Sequence, residues 1–129
     1  MNARILEADV GVVGAGPGGM AAARRLAAAG LQVVVLDEGQ RAGGQIFRQL
    51  PVGASGHDRI AEPPSHEHGH RLIEHFERAG MDRRHGASVW DARPGRLWFE
   101  QGGESWLLRC QKIVLAPGAY DRVVPFPGW

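Results

Sequence analysis

Between Val10 and Asp37 the chain reads VGVVGAGPGGMAAARRLAAAGLQVVVLD: an apolar run, a glycine-rich turn, an alanine-rich stretch of helical composition, a second apolar run and a carboxylate. Two short apolar runs separated by a helix-length segment describe a strand–helix–strand unit. Strands joined in this way lie parallel, because a parallel pair needs a crossover where an antiparallel pair needs only a tight turn. The expectation is therefore an α/β chain built on a Rossmann-like parallel sheet.

Each residue of the turn has a physical role. Gly14 lets the chain leave the first strand sharply, Gly16 lets the main chain approach a pyrophosphate, and Gly19 lets the helix sit close to the sheet. A helix starting near Pro17 points its unpaired amides and its positive dipole end at those phosphates, and proline there removes no donor that the helix needs. Asp37, about 20 residues on, is placed to accept hydrogen bonds from a ribose 2'-hydroxyl and to repel a 2'-phosphate, which disfavours NADP. With 19 glycines in 129 residues the triplet alone is weak evidence. Its weight comes from the strand before it, the helix after it and the run Val33–Leu36 that closes the unit.

Composition narrows the class. A net charge of +1 gives no nucleic-acid footprint, no stretch is apolar for long enough to span a bilayer, and the N-terminus runs into the first strand without a signal-peptide pattern. The cytoplasm, or its membrane face through partners, is the expected location. Cys110 is the single cysteine, so a disulfide or a paired-thiol redox centre is excluded within these residues, and it reads as a small apolar strand residue.

After Asp37 comes loop and short helix, EGQRAGGQIFRQLP, then a Gly/Pro/His-rich stretch over 52–69 that reads as a flexible loop. A helix is expected over His70–Ala79, with Leu72, Ile73 and Phe76 at helical spacing and Gly80 as its stop. Short strands are expected at Ala87–Ala92, Arg96–Glu100 and Trp106–Arg109, the latter two forming a hairpin about Gln101-Gly102-Gly103 whose packing uses Trp98, Phe99, Trp106 and Leu108. Lys112–Ala116 reads as a separate, fully apolar strand inside a parallel sheet, followed by the turn Pro117-Gly118-Ala119.

GAGPGGMAAA, LDEGQRAGGQIFR and IVLAPGAYDRVVPFPGW together resemble the N-terminal region of flavoproteins with two dinucleotide-binding domains, of the glutathione- and thioredoxin-reductase type. Within that group the chain is similar to the FAD-containing subunits of opine oxidase, hydrogen cyanide synthase, sarcosine oxidase and dye-linked proline dehydrogenase. The resemblance implies FAD at the glycine turn. Gly14, Gly16, Pro17, Gly18 and Gly19 would then form the pyrophosphate turn, Asp37 or Glu38 would hold the adenosine ribose, and Gly43, Gly44 and Gln45 would lie along the cofactor. Val89 would read the adenine edge through its main chain, and Ala116 and Gly118 would lie on the last turn. Pro117 departs from the family's usual Thr there and removes both an amide and a hydroxyl. The resemblance also implies an incomplete FAD-binding domain, with the second GxGxxG and a returning strand absent from these residues, so the 129 residues alone should not turn over.

Three readings follow: an FAD-dependent oxidoreductase acting on a C–N bond of a small amine, opine or amino acid and passing electrons to partner subunits; an NAD-binding dehydrogenase segment; and a nucleotide-binding or assembly module. No catalytic residue is assigned, because the flavin carries the redox chemistry. Arg48 and Tyr120, with Asp121 and Arg122, are candidates for an approach to flavin or substrate. His66, His68 and His70 alternate as metal ligands on a strand would, but EPPSHEHGH offers no scaffold and reads as a solvated loop; His75 reads as a helix-face residue and His85 as a strand start. Arg24-Arg25 and Arg83-Arg84 read as solvated faces.

Overall fold

The computed structural model describes residues 3–47, 65–119, 124, 125 and 127. Six strands form one sheet in the order β3-β2-β1-β6-β5-β4, with β1 at Arg4–Val13, β2 at Val33–Asp37, β3 at Asp82–His85, β4 at Ala87–Arg93, β5 at Arg96–Gln101 and β6 at Glu104–Leu115. Helices α1 (Pro17–Ala28) and α2 (Ser65–Arg78) cover one face of it. The β3-β2-β1-β6 part is parallel, and β6-β5-β4 is an antiparallel meander. This is the expected Rossmann-like sheet with a meander insertion.

α1 forms because its alanines, leucine and arginines are strong helix formers, and it presents Gly19, Met20 and Ala23 to the sheet. Met20 and Ala23 pack with Val10, Val12, Val33, Val35, Ile73 and Phe76. A second core lies on the opposite face, where Ala87, Leu97, Phe99 and Leu108 of the meander close on Val34 and Leu36. Gly11 permits that closure: a Cβ there would stand 2.9 Å from Leu97 Cδ1 and 3.0 Å from Leu108 Cδ2.

The sequence divides Trp106–Arg109 from Lys112–Ala116, whereas the structure joins them in the 12-residue strand β6. The Cys110-Gln111 step between the two expected strands marks a change of face. Leu6, Ala8, Leu108 and Cys110 face the meander core, while Val10, Val12 and Val114, of the same alternation, face the helices. The paired strands β1 and β6 thus belong to both cores, and the parallel register runs through both halves, from Arg4↔Trp106 to Val13↔Leu115.

Further expectations are corrected. Residues 65–69 of the expected loop form the start of α2, while the rest of that loop lies outside the described residues. Gly69 is buried, and a Cβ there would meet the Phe47 ring at 2.3 Å, so tertiary packing fixes this turn. His66, His68 and His70 are therefore helical, with His68 and His70 exposed, and no metal-binding cluster exists among the described residues. Asp82–His85 is a strand, with His85 at its end. Arg83 is not a solvated charge: its guanidinium donates to the carbonyls of Phe76, Ala79 and Glu77 at 3.2, 2.7 and 2.7 Å, completing the C-terminus of α2. Arg84 lies 4.9 Å above the Trp106 ring. No described helix is long and apolar enough to cross a membrane.

Candidate functional site

The carboxyl ends of β1, β2 and β6 converge, and the three motifs of the sequence meet there. The Gly14 amide donates to Leu36 O at 2.8 Å, the Gly43 amide to Ala15 O at 2.8 Å and the Ala116 amide to Val13 O at 2.8 Å. Gly14, Gly16, Pro17, Gly18, Gly19, Asp37, Gly43, Gly44 and Ala116 are thereby brought to one end of the sheet. Ligands of open α/β sheets bind at that end, beyond the strands' carboxyl termini.

The glycines of the turn divide into two kinds. Gly14 has φ +102, and a Cβ on it would lie 2.1 Å from Ala116 O; a Cβ on Gly19 would lie 1.9 Å from Gly14 O. The protein's own backbone demands both. Gly16 has ordinary extended dihedrals (φ −75, ψ −176), its nearest neighbour to a Cβ is Gly44 Cα at 3.8 Å, and Gly18 meets nothing within 4 Å. Packing therefore does not demand glycine at 16 or 18: Gly16 would make no more than an ordinary contact, and Gly18 faces open space at the start of α1. That helix has no side-chain cap on its first amides and no acidic residue in its first turn. Unscreened donors, a positive dipole end and room for close main-chain approach suit a pyrophosphate.

The acidic end of β2 differs from the simplest reading. Asp37 Oδ1 accepts the Ala15 amide at 2.9 Å, which ties the carboxylate to the glycine turn. A Cβ on Gly39 would come within 2.8 Å of Asp37 Oδ2, so glycine at 39 is what keeps a side chain off that second oxygen. Glu38, the next residue, is exposed. Gln45 is also exposed, and Gly44 (φ +61) lies against Gly16. Gly118 has φ +78 with nothing within 4 Å of a Cβ, and Pro117 beside it is exposed.

Val89 sits two residues into β4, paired with Phe99 and packed on the meander core. β4 is the outer strand of the sheet, so part of its main chain faces away from β5. The segment nearest the acidic loop comes earlier: His85 pairs with Asp37, and the Gly86 amide donates to Gly39 O at 3.0 Å. His85 Nδ1 is buried without a hydrogen-bond partner among the described residues, and its Nε2 lies 3.5 Å from Glu77 Oε1. The sequence hid this contact because β3 carries no apolar residue. Arg48, Tyr120, Asp121 and Arg122 lie outside the described residues. Cys110, half-buried in β6, is remote from the turn; burial raises its thiol pKa above the ordinary value, partly offset by a hydrogen bond with the Gly11 main chain.

A hollow of about 730 Å³ lies elsewhere, between the C-terminal halves of α1 and α2, lined by Arg24, Arg25, His75 and Arg78 among others. It does not adjoin the glycine turn and has no part in the site.

Fold and turn together define a dinucleotide-binding oxidoreductase domain. The chain belongs to the pyridine nucleotide-disulphide oxidoreductase family, whose model matches residues 8–129. An opine oxidase subunit from Rhizobium meliloti is 37% identical over 131 residues, covering 94% of this chain and 24% of that protein. Putrescine oxidase of Kocuria rosea is 51% identical over 121 residues, covering 84% of this chain and 24% of that protein. The crystal structure of L-proline dehydrogenase from P. horikoshii matches with a TM-score of 0.71 over 96% of this chain and 25% of that chain; at 21% identity the likeness is one of fold. The chain spans about a quarter of the length of these relatives. The resemblance carried by the three motifs thus extends over residues 8–129, as an FAD-type, Rossmann-like oxidoreductase segment.

Proposed function

We propose that these residues form the ADP-binding side of the FAD site in a cytoplasmic oxidoreductase that oxidises a C–N bond of a small amine, opine or amino acid and passes the electrons to partner subunits. The observation that carries the reading is the contrast within one turn: Gly14 and Gly19 are glycine because the protein's own carbonyls crowd them, while Gly16, whose Cβ would make only an ordinary contact with Gly44 Cα at 3.8 Å, and Gly18, with open space before it, are glycine without such crowding. The names of the relatives, opine oxidase and putrescine oxidase, support the substrate class.

In this reading the amides of Gly18 and Gly19, at the start of α1, face the pyrophosphate, with Gly14, Gly16 and Pro17 shaping the approach. Glu38 holds the ribose hydroxyls, while Asp37, engaged with Ala15, keeps the turn in shape. Gly43, Gly44 and Gln45 line the path toward the flavin, Val89 offers main-chain groups to the adenine, and Ala116 and Gly118 border the far side, with Pro117 contributing no amide. FAD, when bound, supplies the electron sink, and the chain's residues supply position and charge.

Calorimetric titration with ADP tests this. Gly16→Val is expected to weaken binding by more than about tenfold, or ~1.4 kcal/mol, while the melting temperature stays within a few degrees. Undiminished ADP affinity in that variant would overturn the assignment.

A further inference from the structure

The outer face of the meander, the side turned away from both cores, carries an ordered pattern. Strand registers place Ile5, Leu107 and Trp98 side by side across β1, β6 and β5, with Asp91 opposite Trp98 on β4. The shift of register between Val89 and Asp91 leaves Trp90 without a cross-strand partner, and its ring lies 6.4 Å from that of Trp98. Trp90 is 64% exposed and Ile5 52%, at the two ends of this apolar row, while Leu107 and Trp98 between them are half-buried, Trp98 with the Arg93 guanidinium 5.5 Å over its ring.

The next row on the same face reads Glu7, Arg109, Arg96, Arg93. Arg96 and Arg109 are directly opposite and exposed, and neither has an ion pair among the described residues. Like charges in that relation are unfavourable. On the other side of the apolar row stand Ser105, Glu100 and Ser88, with Glu100 exposed.

We infer that this face is self-complementary and that a second copy of this chain docks on it. A twofold axis laid along the apolar row sets Trp98 over the partner's Trp98 and exchanges the flanking rows. Arg96 then meets the partner's Glu100, and the same pair forms again by symmetry. Tryptophan and arginine at the centre of a patch are the residues that dominate protein interfaces. Glu7 and Glu100 on the same face argue against an anionic bilayer or a phosphate backbone as the occupant. Four strands at ~4.8 Å spacing make a patch roughly 20 Å wide, small beside the ~800 Å² per partner of a standard interface, so the dimer is expected to be weak.

Sedimentation equilibrium of the purified chain, from micromolar to millimolar concentration, reads the prediction directly. The wild type should show a concentration-dependent shift from monomer to dimer mass. Trp98→Ala, Arg96→Glu and Glu100→Arg should each be monomeric over the same range. Because Arg96→Glu replaces a like-charge pair by an attractive one within the monomer, its melting temperature should hold or rise, which separates loss of docking from loss of fold. An equimolar mixture of Arg96→Glu and Glu100→Arg restores both opposite-charge pairs and should regain dimer mass. ADP affinity should be the same in all, so failure here is distinct from failure of the nucleotide site. A wild type that stays monomeric throughout, a dimer indifferent to Arg96→Glu, or a mixture that remains monomeric would each overturn the inference.

Discussion

The parallel and antiparallel halves of the sheet share the long strand β6 and use it differently. In the parallel half the ends of the strands matter. Gly14, Ala15, Gly43 and Ala116 converge through main-chain atoms, and the side chains there are small or absent. In the antiparallel half the faces matter. Phe99 stacks on Trp106 at 6.0 Å, Leu97 and Leu108 are fully buried, and aromatic and arginine side chains cover the outside. Main-chain geometry can present amides to a phosphate without side chains intruding, whereas side chains are what hold the meander to the sheet. The two halves should accordingly fail in different ways when substituted.

The largest expected effect is in the parallel half. Gly19→Val must displace the Gly14 carbonyl, and it should destabilise the fold by more than ~4 kcal/mol in a denaturant titration. A variant of near-native stability would show that the turn is looser than its contacts imply. Phe99→Ala, its counterpart in the meander, removes a fully buried ring and should cost about 3 to 5 kcal/mol. A loss below ~1 kcal/mol would mean that the meander does not depend on its side chains.

Next comes a pair that sharpens the division at the end of β2. Asp37→Ala leaves the Ala15 amide without its acceptor and should cost about 1 to 3 kcal/mol of stability. Glu38→Gln should leave stability within ~0.5 kcal/mol while lowering ADP affinity by roughly tenfold. The reverse pattern would return the ribose to Asp37. The smallest effect concerns Cys110. Its thiol pKa is raised in the folded chain, so folding favours the protonated form; that contribution is complete below the ordinary thiol pKa and is lost as pH rises through it toward the folded value. Stability should therefore decline more steeply above about pH 8.5 in the wild type than in Cys110→Ser, as followed by urea melts.

What the sequence revealed follows the same division. The strand–turn–helix–strand unit was legible because its signals are local: glycine spacing, two apolar runs and a terminal carboxylate. Lys112–Ala116 was recognisable as a strand of the parallel sheet by its apolar run. β3 was not, because Asp82-Arg83-Arg84-His85 carries no apolar residue; its side chains are engaged by the end of α2, the Trp106 ring and Glu77. The continuity of β6 was hidden by polar residues at the place where the strand turns one face into the other. The start of α2 was hidden because it depends on Gly69 fitting under Phe47, a contact between segments 22 residues apart in the chain. The role of Asp37 was half legible: its position was evident, while its bond to Ala15 required the turn to be folded.

The single parallel register that β1 and β6 keep from Arg4↔Trp106 to Val13↔Leu115 makes the molecule intolerant of length changes. Side chains alternate with a period of two, so inserting or deleting one residue in either strand would invert every position beyond it. Insertion near Arg109 would carry Leu108 or Cys110 out of the meander core, and it would equally pull Ala116 out of step with Gly14. An indel scan of these two strands should thus find both ends of the ribbon equally unforgiving, however far the change lies from the nucleotide turn.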